Sequence, residues 1–415
     1  MSPDGVALET TDRPGAANDA SLRRDVSWYS LYALLSKLLF SRGVFLLFLA
    51  DRGMSSAQIG TIQACFFFAN VAAELPTGAY GDRHGRKRSV MIGLAMMSAS
   101  ALGMVVFHGF VAYAIMFLID GVALAFVSGS DVALLYETFK QRGFEGRYAS
   151  AYGKIRALEA AALSAAIALG GFLAWIRWSV VYIASAVVLA LALLAMWRVK
   201  DLSPPPEPAQ GETNAAARPG FRAFFGSREG RWLLVLMMAL GIFEAAVTPY
   251  FIFGQLLFAS LGLSSRSIGV TMSVAELIPA FMYAAISRFA SRLRTDKVVY
   301  VVMASIALLL PLNALRLFPV SLAVFLVIAT IPAAQHVVIN DFLQQRVPSD
   351  IRATSLSLVS LMQSCFVGLA YIGYGKAIDR VPISTGFSWA AIIPLAALAL
   401  CFLCFRNLPR EEVSP

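Results

Sequence analysis

Glu74-Leu-Pro-Thr-Gly78-Ala-Tyr80-Gly-Asp82-Arg83-His-Gly85-Arg86-Lys87 is the stretch on which the reading of this chain turns. It starts inside an apolar run and ends in a knot of cations, with three glycines and an aspartate between. An apolar segment that stops at Arg83, Arg86, Lys87 and Arg88 reads as a helix leaving lipid on a basic side. Gly78 and Gly85 allow close helix approach and a tight turn. Asp82 suits the N-terminus of another helix, and Arg86 needs a carboxylate from a neighbouring span.

Working outward, composition points to lipid as the solvent. Of 415 residues 58% are hydrophobic and only 14% charged, where soluble chains carry about 25% charged residues. A spanning helix needs about 20 mostly apolar residues. That ruler gives twelve spans, near 27–50, 57–79, 89–107, 110–138, 151–174, 179–197, 231–259, 266–288, 297–315, 318–341, 352–376 and 383–405. The excess of cations, +9 in all, falls in alternate loops: Lys140, Arg142 and Arg147 after span 4, Arg198 to Arg228 in the middle, Arg292, Arg294 and Lys297 after span 8, and Arg346 after span 10. The positive-inside rule then makes both termini cytoplasmic in an inner or plasma membrane. The same distribution removes the case for a nucleic-acid partner.

The polar segment 199–230, with Ser203-Pro-Pro-Pro-Glu-Pro208, sits near the midpoint of the chain. It reads as a cytoplasmic linker between halves 27–198 and 231–406, flanked by cytoplasmic tails 1–26 and 407–415. An internal echo supports two halves. Gly53-Met-Ser-Ser-Ala-Gln-Ile-Gly60 returns 209 residues later as Gly262-Leu-Ser-Ser-Arg-Ser-Ile-Gly269, each time between one span and the next. The four cysteines, Cys65, Cys365, Cys401 and Cys404, all lie in apolar stretches and read as packing residues. No signal peptide, cofactor or metal site is expected.

The opening loop resembles the signature Gly-x-x-x-Asp-Arg-x-Gly-Arg-Lys of the major facilitator superfamily, with Tyr80 in place of the usual leucine. The resemblance implies an all-α integral membrane protein with twelve transmembrane helices in two pseudo-symmetric six-helix bundles, working by alternating access. It implies a conformational-switch loop of Gly78, Asp82, Arg83, Gly85, Arg86 and Lys87, with Asp82 capping span 11 near residues 351–354 and Arg86 paired with Glu137. Two further stretches, Ser128 to Glu137 and Val347 to Ser357, resemble a bacterial drug- and metabolite-exporter-like branch. Three departures from the family pattern matter, and the last two count against export and proton coupling. The second-half copy of the loop, 286–294, lacks its aspartate and glycine; span 4 lacks the arginine of many proton-coupled relatives; and span 5 has Gly170-Gly171 without the antiporter proline.

Charges inside the spans are the candidate site, since each costs about 2.5–3.5 kcal/mol at mid-bilayer on insertion scales. Span 1 carries Lys37 and Arg42, span 4 Asp120 and Asp131, span 7 Glu244, span 8 Glu276, and span 10 His336 and Asn340. Asp120 and Asp131 lie eleven residues apart, about three turns, so both carboxylates are expected on one face of span 4. In relatives, spans 1, 4, 7 and 10 line the central cavity, which would bring Arg42, Asp120, Asp131, Glu244, His336 and Asn340 together there. On the functional reading, Asp120, Asp131 or Glu244 binds a proton or a cationic substrate. On the structural reading, they form helix-locking ion pairs, such as Lys37 or Arg42 with Asp120. Lys37 can also snorkel to the headgroups, and Glu74 and Glu137 suit structure or gating.

The expected activity is proton-coupled export of a small hydrophobic or cationic compound by a monomer. Uptake or facilitated diffusion of a small metabolite is the alternative, and a lipid enzyme or a non-transporting receptor is a remote one. No Gly-x-Ser-x-Gly, His-Glu-x-x-His or phosphate-binding glycine loop supports an enzyme.

Overall fold

The computed structural model describes residues 14–201, 219–286, 289, 293–348 and 351–408. Among these residues every regular element is a helix. Ten segments are long and apolar enough to cross a membrane. They are spans 2 to 7 and 9 to 12: Ser56–His84, Arg86–Val106, Phe110–Gln141, Glu145–Ile176, Trp178–Arg198, Arg228–Ser260, Thr295–Leu315, Phe318–Arg346, Ser357–Ile378 and Ile383–Asn407. Two more complete the twelve. Span 1 is a helix at Pro14–Ser36 followed by a second at Phe45–Asp51, and span 8 is Ser265–Ile286. The face carrying Arg86, Arg142 and Arg346 is called the basic face below, and the opposite one the far face.

Span 1 and the linker differ from the sequence reading. Span 1 begins at Pro14 rather than 27. Its extra turns are held down by charge, since Asp25 and Ser21 meet Arg142 and Asp19 lies 2.7 Å from Arg147. Span 1 also breaks over 37–44, where three-residue turns replace the helical ladder. Within the expected linker, Pro219–Gly226 is helical. Residues 202–218 of that linker, both outer tails (1–13 and 409–415) and most of the second-half loop copy lie outside the described residues.

The two halves meet through spans 2 and 11, spans 5 and 8, and spans 1 and 7. The first two crossings are built on glycine. A methyl group on Gly60 would collide with the Tyr371 carbonyl, and one on Gly375 with the Ser56 carbonyl. Gly171 and Gly269 pack backbone to backbone in the same way. The echo Ser-Ser-x-x-Ile-Gly therefore marks two places where helices of opposite halves touch at the far face. Small residues permit such close approach. The broken part of span 1 adds a third tie. Gln255 of span 7, almost fully buried, accepts from the Leu46 N–H at 3.0 Å and donates to the Arg42 carbonyl at 3.1 Å. It thereby satisfies backbone groups that the break leaves without helical partners.

The hydrophobic core divides accordingly. One cluster runs through both halves at the far face and fills the second half, with Phe48, Ile62, Phe253 and Tyr371 among its members. A separate cluster, including Tyr32, Leu94, Leu134 and Met196, stays within the first half at the basic face. Among the described residues, the buried apolar cluster that joins the halves lies at the far face.

Candidate functional site

Between the halves lies a cavity of about 730 Å³. Its first-half wall comes from spans 1, 2 and 5, with Arg42, Gln63, Phe66, Phe67 and Arg156. Its second-half wall comes from spans 7, 8, 10 and 11, with Glu244, Thr248, Phe251, Glu276, Tyr283, His336 and Tyr371. The volume is that of a small-molecule site, mostly apolar with a few converging polar groups.

In the second half the polar groups form a chain across three spans. Tyr283 of span 8 hydrogen-bonds His336 Nδ1 at 2.9 Å, and His336 Nε2 lies 2.7 Å from Glu244 Oε1. Thr248, one turn on from Glu244, donates to its other oxygen at 3.3 Å. His336 stands at this point because Pro332 starts a new helical segment four residues earlier, breaking span 10 at Ile331. The histidine side chain is 43% exposed and Glu244 16%. The pair is therefore open to the cavity, yet Glu244 is mostly shielded from it. A carboxylate and an imidazole at hydrogen-bond distance can share and pass one proton.

In the first half, Arg156 reaches the cavity while Glu159, a single helical turn away and buried, binds it at 2.6 Å. Lys37 and Asp131 lie within electrostatic range of Glu159. Two cations thus face two carboxylates, a balanced cluster that anchors Arg156 at the cavity wall.

The structure thus sorts the sequence candidates. Arg42, Glu244, Glu276 and His336 share the cavity wall. Lys37 and Asp131 belong instead to the cluster around Glu159. Asp120 lies beside Ser100 inside the first bundle, and neither Asp120 nor the exposed Asn340 lines the cavity. The two span 4 aspartates do not share one continuous face. Gly129 has φ +76°, which ends one helix at Val127 and starts another at Ser130. Asp131 then sits in the first turn of the new helix and accepts from the Val132 N–H at 2.7 Å. Arg156 and Glu159 were not among the expected site residues, although a basic and an acidic residue three apart inside an apolar helix is the signal that would have found them.

Comparison with known proteins agrees with the fold. Residues 29–373 match the sequence profile of the Major Facilitator Superfamily. The chain belongs to the major facilitator superfamily. Membership places it among transporters and not enzymes. Two proteins of Bacillus subtilis (strain 168), the uncharacterized MFS-type transporters YttB and YwoD, are 29% and 27% identical over 136 and 142 residues. Those matches span about a third of this chain and 33% and 30% of the relatives. Among solved structures, a point variant of the nucleoside transporter NupG aligns with a TM-score of 0.77 at 16% identity, over 94% of this chain and all of that one. A D-xylose-proton symporter aligns at 0.68 and 15%, over 95% and 99%. A bacterial homologue of the human lysosomal transporter Spinster, inward-facing and unoccupied, aligns at 0.72 and 15%, over 94% and 97%.

The superfamily's signature loop is half engaged. Arg86 lies 3.3 Å from Glu137 and 3.6 Å from Asp82. Gly85 makes the turn at φ +98°, and Lys87 donates to the Trp197 and Val199 carbonyls at 2.8 and 2.6 Å, capping span 6. Arg83 is exposed. Asp82 is 69% exposed, and Ile351, the N-cap of the helix that begins span 11 at Arg352, makes no side-chain capping bond. Nothing stands within 4 Å of where a Gly78 Cβ would be. Residues 349–350, part of the stretch resembling the exporter branch, lie outside the described residues.

At the other end the same two spans are latched. Asp379, just past the end of span 11, accepts from the Ser56 N–H at 2.7 Å and the Ala57 N–H at 3.0 Å. These are the first amides of span 2, so a carboxylate from one half caps a helix of the other. Burial would raise the Asp379 pKa, but hydrogen bonds from Ala57, Ser55 and Ser56 outweigh it and hold the carboxyl below its ordinary range.

Proposed function

We propose that this chain is a proton-coupled secondary transporter that moves a small polar metabolite through the central cavity by alternating access. The observation that carries the reading is the Tyr283–His336–Glu244 chain opening onto a cavity walled by both halves. A site that binds a proton and a solute in one chamber couples the two when opening is possible on only one side at a time. The far face is tied at three helix crossings. At the basic face every ion pair among the described residues stays within one half. With the basic face taken as cytoplasmic, on the loop charges, the conformation is inward-open, and both termini are cytoplasmic.

Export of a hydrophobic cation, the activity first suggested by the sequence, asks for a greasy, net-negative pocket. Arg42 and Arg156 in the wall favour the alternative, a polar metabolite. Proton symport then supplies the driving force, a mode named for one structural neighbour, the D-xylose-proton symporter.

The test is internal pH in proteoliposomes under an imposed solute gradient, for a panel of metabolites and of lipophilic cations. At least one metabolite is expected to drive proton movement. Glu244→Gln is expected to reduce that movement by at least tenfold while sparing solute exchange at equal concentrations. Proton movement that survives in both Glu244→Gln and His336→Gln sinks the proton-coupling role of this pair. Saturable flux of lipophilic cations alone would restore the export reading.

A further inference from the structure

We infer that the transported molecule is a zwitterion whose anionic group is held by Arg42 of the first half and whose cationic group by Glu276 of the second. The inference rests on the transport reading above and names its substrate class.

Four charged side chains besides His336 face the cavity, two cations, Arg42 and Arg156, in one wall and two carboxylates, Glu244 and Glu276, in the other. Two of them are already engaged, Arg156 by Glu159 at 2.6 Å and Glu244 by His336 at 2.7 Å. Arg42 and Glu276 have no ion-pair partner among the described residues. A charge kept within a membrane span without a partner is costly and marks function by default. Here the two unpaired charges are of opposite sign and stand on opposite halves. A monocation would leave the arginine unmatched, and an anion would leave the glutamate so. A neutral solute would leave both. A molecule with one charge of each sign satisfies both walls and adds no net charge to the chamber. Between them, Phe66, Phe67 and Phe251 offer an apolar surface for the body of the molecule. The chemistry described is that of an amino acid or a short peptide with an apolar side chain.

The arrangement also links binding to motion. The Arg42 carbonyl is held by Gln255 of the opposite half, at the far-face tie. A ligand bridging Arg42 and Glu276 draws the halves together from inside the cavity, so its binding energy favours an occluded state.

The experiment is binding to the purified full chain in detergent, read by thermal shift and by tryptophan fluorescence. The probes are phenylalanine and alanyl-phenylalanine, each beside its C-terminal amide, which lacks the anion, and its N-acetyl form, which lacks the cation. A zwitterion is expected to bind, and loss of either charge to weaken it by about tenfold or more, the scale of a charged hydrogen bond. Arg42→Gln should abolish the discrimination against the amide and keep that against the acetyl form. Glu276→Gln should do the reverse, and Arg42→Lys should restore part of what Arg42→Gln loses if that variant folds poorly. Equal binding of the amide or acetyl form overturns the inference, as does unchanged discrimination in both variants. Binding only of uncharged sugars or nucleosides, or of tetraphenylphosphonium, overturns it too, while the transport reading stands. If no probe of any class binds, the zwitterion assignment fails. The proton-flux measurement then decides the transport reading separately.

Discussion

Span 2 ends in two different ways, and the contrast shows how this protein holds one conformation. At its far end Ser56 and Ala57 are capped by Asp379 from the other half, Gly60 lies flush against span 11, and Ser55 and Gln58 close a capping box. At its basic end Asp82 is mostly exposed, and among the described residues its ion-pair partner is Arg86 of its own half at 3.6 Å. Spans 2 and 11 run antiparallel, and each carries an aspartate at its C-terminal end, Asp82 and Asp379. Among the described residues, the carboxylate that caps a helix of the other half is Asp379. Among the described residues, the crossing of spans 5 and 8 has no such carboxylate pair. It uses the Gly171–Gly269 contact, a Ser164–Ser273 hydrogen bond at 2.9 Å, and Arg266 over the Trp175 ring at 3.3 Å. If one carboxylate latches each state, the protein switches by exchanging one helix cap for the other.

The sharpest way to break the comparison is to wedge the closed end. Gly60→Leu puts a side chain where the Tyr371 carbonyl now sits. Overpacking of this kind costs about 1–3 kcal/mol, or roughly 5- to 150-fold in a two-state population. Spin labels placed on the far-face ends of spans 1 and 7 are expected to show a longer distance becoming dominant. An unchanged distance distribution would mean that the glycine crossing does not hold the far face shut.

Much of this was legible in the sequence, and what was not has identifiable causes. Apolar runs of spanning length gave twelve spans because lipid tolerates little else. The echo at 53–60 and 262–269 marked both glycine crossings, since the repeat keeps the same packing need at each. The Arg86–Glu137 pair followed from the family resemblance. Span 4 was misjudged by treating Ser128-Gly129 as ordinary helix, and the left-handed glycine there moved Asp131 away from Asp120. Asp379 was passed over because its partners lie more than 300 residues away and are backbone amides, which no sequence pattern announces.

A smaller effect is expected from Asp379→Asn, which removes the charge but leaves the shape of the cap. The far-closed population should fall roughly three- to tenfold, the range for a helix cap. The pH dependence has a definite sign. Because the carboxyl is held below its ordinary range, its ionised form is the one bound. The latch is therefore complete above about pH 4 and is lost as pH falls through the lowered value. The wild-type far-closed population should stay flat from about pH 8 to 5 and drop only in stronger acid. The asparagine variant should lack that drop. A wild-type transition near neutral pH would assign the switch to another group.

The smallest effect in the present conformation belongs to Asp82→Asn, and its direction discriminates best. Asp82 is mostly exposed and 3.6 Å from Arg86, so its loss here removes only a weak surface pair, within about 1 kcal/mol. If Asp82 is the latch of the opposite state, neutralising it destabilises the far-open form alone. The comparison is clearest in the Gly60→Leu background, where the far-open form is already well populated. There Asp82→Asn should shift the label distances back toward the far-closed value by several fold, while Asp379→Asn in the same background shifts them further open. Opposite signs from two aspartates on the same pair of spans require that each caps its partner in a different state. Equal signs would mean that Asp82 supports the first bundle alone, and that Asp379 acts without a counterpart.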